Sequence, residues 1–382
     1  MLAFVAAGWL VPSAVRAFET TARAAFVLDH TTGTPLLAKN PDLPLPPASM
    51  SKLMTLYLAF EAVRDGRLNL EERLPVSQHA MSYKGSTMFL NTTDRVKVID
   101  LLRGIIVLSG NDACVVIAEA LSPDGTEAGF ARAMNQRARD IGLRNSTFKN
   151  SNGWPAQGQT MSMRDLVILA QHLIADFPEF YPMFAETEYT YGTRAPKNNR
   201  NRNPLLTLGI GADGLKTGYT EASGYGLVGS AVRDGRRVIF ALAGLGSTRE
   251  RAEVSEALLN WSFRQFRQVA LLEAGERVSV ASVWMGAQNS VGLVVAEPLE
   301  VVLPVDADQD VAAEVVYEGP LQAPIIQGQE LATLLVRPAG LPPLPVPLVA
   351  ESDVAFGGLW VRVKTAVQVL AHRVGLVGEG TP

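Results

Sequence analysis

Apolar positions along the chain recur every second residue in some short runs and at helical spacing in longer ones. Residues 24–29 (AAFVLD) and 35–38 flank residues 31–34, which contain Gly33, and this pattern predicts a hairpin. Residues 49–63 predict a helix that turns Leu53, Leu56, Tyr57 and Phe60 inward. Residues 99–108 and 113–121 predict two apolar helices separated by Ser109-Gly110-Asn111. Amphipathic helices are predicted over 128–141 and 162–174, with Thr160 or Ser162 available to cap the second. Strands follow at 215–220, 225–232 and 236–242, the last two joined by the hairpin signal Asp234-Gly235. A long helix over 250–266 offers Val254, Leu258, Trp261, Phe263 and Phe266 to a core.

The pattern changes near residue 268. Strand-length runs at 277–283, 290–295, 300–304, 313–317 and 331–337 alternate with Gly, Pro, Asp and Asn. They predict a small all-β domain, followed by a stiff linker at 341–347 (LPPLPVP). The two chain ends differ from the rest. Residues 2–15 carry no charge, and Val15-Arg16-Ala17 places small residues where a signal peptidase cuts, so residues 1–17 read as a signal peptide. From 356 to 377 the charges are Arg362, Lys364 and Arg373, with no acid. Leu359, Val363, Val367, Leu370 and Val374 share one helical face, which suits a membrane interface. The expected organisation is therefore 1–17 signal, 18–267 a domain of mixed helices and strands, 268–350 β-rich domain, and 351–382 linker with an amphipathic anchor helix. The apolar interior stretches near 101–121 and 293–305 are interrupted by polar residues, so no spanning helix is expected.

Composition narrows the chemistry. The 382 residues hold 34 basic and 38 acidic side chains, a net charge of −4, which disfavours a nucleic-acid partner. Cys114 is the single cysteine, so an internal disulfide is excluded. His30, His79, His172 and His372 stand without ligand spacing, and no metal or cofactor is expected. GxSxG does not occur.

Ser49-Met50-Ser51-Lys52 is an SxxK at a predicted helix start. Positions three apart share a helical face, so an amine is brought to a serine hydroxyl, and such a serine needs a nearby base to become a nucleophile. Ser146-Thr147-Phe148-Lys149 also matches, but in a turn-rich stretch. Ser109-Gly110-Asn111 is the one SxN in the chain; Ser109 could relay a proton and Asn111 could hold a substrate amide. Lys216-Thr217-Gly218 opens an apolar strand; its polar groups suit a carboxylate, and the glycine suits close approach of a substrate backbone.

Taken in order, SxxK, SxN and KTG resemble the active-site motifs of serine penicillin-binding proteins and β-lactamases. Phe26–Asp29, Pro47–Leu53, Gly85-Ser86, the run LLRGIIVLSGNDACVVIA, Asp213–Thr220 and LLNWSFRQF resemble the low-molecular-mass D-alanyl-D-alanine carboxypeptidases. The resemblance implies an α+β fold: an antiparallel sheet with a helical cluster, then a small all-β domain and a C-terminal amphipathic helix. It implies Ser49 as acylated nucleophile, Lys52 as proton acceptor, and Ser109 and Asn111 as the proton network and substrate hold. Lys216 and Thr217 would bind the substrate carboxylate, beside Gly218. The backbone N–H groups of Ser49 and Tyr219 would form the oxyanion hole, and Arg249 would stand near the carboxylate site. Partners would be the D-Ala-D-Ala end of peptidoglycan pentapeptides, β-lactams as covalent inhibitors, and a membrane surface. Location would be the periplasmic face of the bacterial inner membrane. A β-lactamase, a D,D-transpeptidase and a non-catalytic peptidoglycan-binding protein remain as alternatives. The first is disfavoured because no glutamate between SxN and KTG sits in an ExxLN context and SGN replaces SDN.

Overall fold

The computed structural model describes residues 18–195, 197–307 and 311–358. The expected signal peptide and the expected apolar helix face from Leu359 onward lie outside the described residues. Among the described residues, 18–264 form one compact unit and those from Gln265 form another.

The first unit opens with a hairpin of β1 (Ala24–Asp29) and β2 (Thr34–Lys39). Six helices follow: α1 (Lys52–Arg64), α2 (Gln78–Ser82), α3 (Val98–Arg103), α4 (Asn111–Leu121), α5 (Glu127–Asp140) and α6 (Met163–Asp176). A two-stranded ribbon of β3 (Arg73–Pro75) and β4 (Arg95–Lys97) lies among them in sequence. The unit closes with β5 (Ala212–Thr220), β6 (Gly224–Arg233), β7 (Arg236–Leu245) and α7 (Thr248–Arg264). The long strands join one antiparallel sheet in the order β2-β1-β7-β6-β5, which leaves β5 as an edge.

Alternation within the strands explains how the sheet is covered on both sides. Ala24, Phe26, Leu28, Ile239, Ala241 and Ala243 enter the core that the helical cluster shares. Ala25, Val27, Val238, Phe240 and Leu242 are equally buried but lie out of phase with that set, and α7 packs on β6 and β7 with Leu258 and Leu259 buried. The hydroxyls of Thr126 and Ser162 accept from the Gly129 and Asp165 backbone N–H groups, and so cap α5 and α6.

Two helices depart from the sequence expectation, and both departures occur at motifs. The expected helix over 49–63 begins as a 3₁₀ turn, Ala48–Ser51, and becomes α1 at Lys52. The expected helix over 99–108 ends as α3 at Arg103 and continues as a π turn, Gly104–Leu108. Ser109 then adopts a left-handed conformation, φ 62°, before α4 begins at Asn111. Gly104 leaves room there for the buried Met88 side chain, whose Sδ and Cε occupy the place a Cβ would take. The buried stripe of α7 also differs from the expected one: it runs through Arg251, Ser255, Leu258, Leu259 and Ser262, while Val254, Trp261 and Phe263 are half-buried and Phe266 belongs to the next strand.

The second unit is all β. Its strands are β8 (Phe266–Leu272), β9 (Arg277–Trp284), β10 (Ser290–Val295), β11 (Leu299–Pro304), β12 (Ala312–Val316), β13 (Leu321–Gln322), β14 (Glu330–Arg337) and β15 (Leu344–Ala350). One sheet has the order β12-β14-β15-β10-β9-β13, and β8 pairs with β11. Its core includes Leu293, Val295, Val301, Leu303, Leu334, Val336 and Leu348. Leu344–Pro347 of the segment read as a stiff proline linker are in fact part of β15, which lies between β14 and β10. Proline lacks an N–H and belongs at unpaired edges. Pro345 and Pro347 are two residues apart, so both face the same edge, and β10 pairs only with Leu348, Val349 and Ala350 of this strand. The prolines thus occupy the stretch whose second edge is unpaired.

Candidate active site

Ser49 lies in the 3₁₀ turn that precedes α1. In such a turn residues three apart eclipse one another, so Lys52 stands directly over Ser49. Its Nζ donates to Ser49 Oγ at 2.9 Å. Two glycines hold the turn from either side. A Cβ on Gly218 of β5 would lie 2.9 Å from Pro47 O and 3.0 Å from Met50 Cγ, and a side chain on Gly153 would overlap the Ala48 carbonyl. Gly218 thus serves contact with the nucleophile turn, where the sequence had suggested contact with substrate. Ala48 itself has φ 50°, a strained conformation for alanine costing on the order of 1–2 kcal/mol.

Lys52 is fully buried, and among the described residues no carboxylate pairs with it. Instead its Nζ donates to three neutral acceptors: Ser49 Oγ, Asn111 Oδ1 at 2.7 Å and the Asn152 carbonyl. Burial disfavours the ammonium and lowers its pKa from 10.5 to about 8. That corresponds to about 3 kcal/mol against the charged form. A neutral amine keeps two donors and gains one acceptor lone pair. It can therefore hold Asn111 and Asn152 while accepting the Ser49 proton.

Asn111 also donates from Nδ2 to Lys84 O and from its backbone to Ser86 O, both at 2.7 Å. Asp112, next to it, accepts from the backbone N–H groups of Met88, Leu90 and Ala113. The start of α4 thereby fixes the loop that forms one wall of the site. Ser109 is buried, and its Oγ has no hydrogen-bond partner among the described residues. Such an orphaned hydroxyl in a strained residue fits a group awaiting a substrate or a proton.

Lys216 and Thr217 on edge strand β5 are buried as well. Burial holds the Lys216 pKa well below its ordinary value, and repulsion from Lys52 and Arg202 adds to this. Arg202 donates to Ser86 Oγ. Arg251, on the buried stripe of α7, donates to Arg202 O at 3.3 Å, while its Nε has no partner. None of Lys52, Arg202, Lys216 and Arg251 makes an ion pair among the described residues. Converging unpaired cations make this a site for an anion. Arg249 is not part of it: its side chain is 86% exposed and pairs with Glu253 on the outer face of α7. Two residues along a helix turn a side chain to the opposite face, so the buried arginine is Arg251.

The cleft in front of Ser49 measures about 520 Å³ and is walled by Ser86, Asn111, Asn152, Trp154 and Tyr219. Tyr219 is half-exposed and stacks on Tyr225 with ring centres 4.2 Å apart. The structure thus brings together Ser49, Lys52, Asn111, Lys216, Thr217, Gly218 and Tyr219. The second SxxK is separate, its Ser146 Oγ bonded to Asp165.

Residues 11–245 match the D-alanyl-D-alanine carboxypeptidase family. The chain belongs to this family. Residues 266–355 match the C-terminal domain of penicillin-binding protein 5. The chain is 33% identical to D-alanyl-D-alanine carboxypeptidase DacC of Escherichia coli, covering 97% of this chain and 93% of that protein. It is 32% identical to DacF of Bacillus subtilis, covering 90% of this chain and 88% of that protein. The crystal structure of penicillin binding protein 5 from Haemophilus influenzae superposes with a TM-score of 0.78 at 33% identity, covering 88% of this chain and 98% of the other. The fold is thus the penicillin-binding type that the motifs imply.

In this carboxypeptidase-family member the sequence motifs left out three contributors. The Asn152 carbonyl completes the shell around Lys52. Glu127 positions it by accepting from Ser151 N at 2.9 Å and Ser151 Oγ at 2.6 Å, with Tyr83 and His79 on its other oxygen. Burial alone would raise the Glu127 pKa, but the hydrogen bonds of Ser151, Tyr83 and His79 outweigh it and the net shift is downward. The third is Arg251. Only the turn-rich character of 145–155 signalled the first, nothing in the sequence pattern signalled Glu127, and the phase of the buried α7 stripe would have identified the third.

The two arginines can be separated by substitution. Arg251→Ala should lower kcat/KM for a carboxylate-terminated substrate about tenfold or more, the loss of a charged hydrogen bond. Arg249→Ala should stay within about twofold. Steady-state kinetics with both variants checks this, and equal effects would contradict the assignment.

Proposed function

We propose that the protein is a serine-type D-Ala-D-Ala carboxypeptidase that removes the terminal D-alanine from peptidoglycan pentapeptides through an acyl-enzyme on Ser49, and that β-lactams acylate the same serine. The observation that carries this reading is the hydrogen bond between Lys52 Nζ and Ser49 Oγ, 2.9 Å, with the lysine pKa lowered to about 8. Family membership supports the reaction class.

In the proposed sequence, Ser49 Oγ bonds to the carbonyl carbon of the penultimate D-alanine as its proton passes to Lys52 Nζ. Backbone N–H groups of Ser49 and Tyr219 would stabilise the oxyanion. The C–N bond then breaks, and the leaving amine of the terminal D-alanine takes a proton from Lys52 by way of Ser109. Lys216, Thr217 and Arg251 hold the departing carboxylate, and Asn111 holds the substrate amide. Water attacks the ester carbon, its proton going to Lys52 and then to Ser49 Oγ as the ester bond breaks.

Export and membrane attachment complete the proposal and rest on the sequence: an uncharged segment at 2–15 and a basic, apolar-faced segment at 356–377. Among the described residues no helix is long and apolar enough to cross a membrane. The attachment proposed is peripheral, at the periplasmic face of the inner membrane, because the basic segment carries its apolar residues on one helical face.

Ser49→Ala should reduce D-alanine release from a diacetyl-Lys-D-Ala-D-Ala peptide by roughly three orders of magnitude or more and abolish the penicillin adduct seen by mass spectrometry. Retained release would overturn the assignment of Ser49. Truncation after Phe356 should yield an active enzyme that no longer sediments with membranes; unchanged sedimentation would contradict the anchor.

A further inference from the structure

Among the side chains lining the cleft, Glu221 alone carries a charge. It is exposed, and it makes no ion pair or side-chain hydrogen bond among the described residues. It sits in the turn between β5 and β6, where Thr220 Oγ1 accepts from Ser223 N at 3.1 Å and lies 2.5 Å from Ser223 Oγ. These bonds hold the turn closed and keep the carboxylate at the rim of the cleft. The other unpaired charges of the site, Lys52, Arg202, Lys216 and Arg251, are all positive. The cleft wall itself therefore carries one charge, the Glu221 carboxylate, while Lys216 lies buried four residues before Thr220 on the same strand.

The spacing along β5 gives this charge a meaning. β5 is a sheet edge, and an extended peptide can pair with it. If the peptide's terminal carboxylate sits at Lys216 and Thr217, its chain runs antiparallel to β5, past Gly218 and Tyr219 toward Glu221. At about 3.3 Å per residue, the end of β5 at Thr220 lies roughly 10 Å from Thr217, with Glu221 next in the turn, and the third residue from the peptide's end lies about 7 Å from the last. An extended four-carbon amine on that third residue spans the remainder.

We propose that Glu221 is a specificity-determining residue that reads a free ammonium on the side chain of the residue preceding D-Ala-D-Ala. This rests on the carboxypeptidase reading and extends it from the scissile bond to the third residue. The contact is solvent-exposed, so its effect is modest and salt-sensitive. Among the described residues Glu221 makes no side-chain hydrogen bond or ion pair that its loss would break.

The test compares two peptides, Nα-acetyl-Lys-D-Ala-D-Ala with a free Nε and the same peptide acetylated on Nε, by D-alanine release. The wild-type protein should prefer the free amine about three- to fivefold in kcat/KM at low salt, mainly through KM, and less at high salt. Glu221→Gln should remove the preference while leaving turnover of the acetylated peptide unchanged, and Glu221→Lys should reverse it. Equal use of both peptides by the wild type, or a preference that survives Glu221→Gln, would overturn the role of Glu221 while leaving the carboxypeptidase reading intact. Release from neither peptide would overturn that reading and this role with it.

Discussion

An ammonium buried without a carboxylate is the constraint on which the rest of the site depends. Lys52 has lost its water, and only three neutral oxygens replace it. They come from three separate segments: the 3₁₀ turn, the start of α4 and the loop before α6. Removing any one would leave a buried donor unmet, so the three segments are tied together by the lysine they surround. Glu127 extends the arrangement outward, fixing the residue next to Asn152. Thr55 on α1 binds the Ser151 carbonyl and closes the loop from below. A carboxylate beside Lys52 would have made the pocket more stable and the lysine less useful, because it would have kept the amine charged.

Steric fit imposes a second requirement. The turn that carries Ser49 sits between β5 and the 150–154 loop, and Gly218 and Gly153 make room for it on the two sides. The backbone on either side of the chemistry is strained, with positive φ at Ala48 and Ser109. Such conformations persist only when packing over-determines them. Here the helical core does so, since Met50, Leu53, Leu108 and Ala113 around those residues are buried. The fold supplies rigidity at the nucleophile and leaves the edge of β5 free for a substrate backbone.

Much of this was legible in the sequence. Period-two and helical patterns located most strands and helices of the first unit, and the three motifs located Ser49, Lys52, Asn111, Lys216 and Thr217. The misses have specific physical causes. Arg249 and Arg251 differ by two positions on one helix, and only the phase of its buried stripe separates them; taking Val254 and Trp261 as core put that phase out. The π turn at Gly104–Leu108 adds a residue per turn that no periodicity reveals. Residues 341–347 looked like a rigid spacer because proline normally avoids a sheet interior, yet here both prolines face the one stretch left unpaired. Asn152 acts through its backbone carbonyl, which leaves no trace in residue type.

The most direct measurement is the titration of Lys52 itself, by ¹³C NMR of the Cε resonance in lysine-labelled protein, with Lys52→Arg used to assign the signal. A midpoint near pH 8, the amine predominating above it and the ammonium below, is the result expected of a base desolvated over Ser49. A midpoint at the ordinary lysine value near 10.5 would mean that Lys52 stays charged at working pH and cannot accept the serine proton.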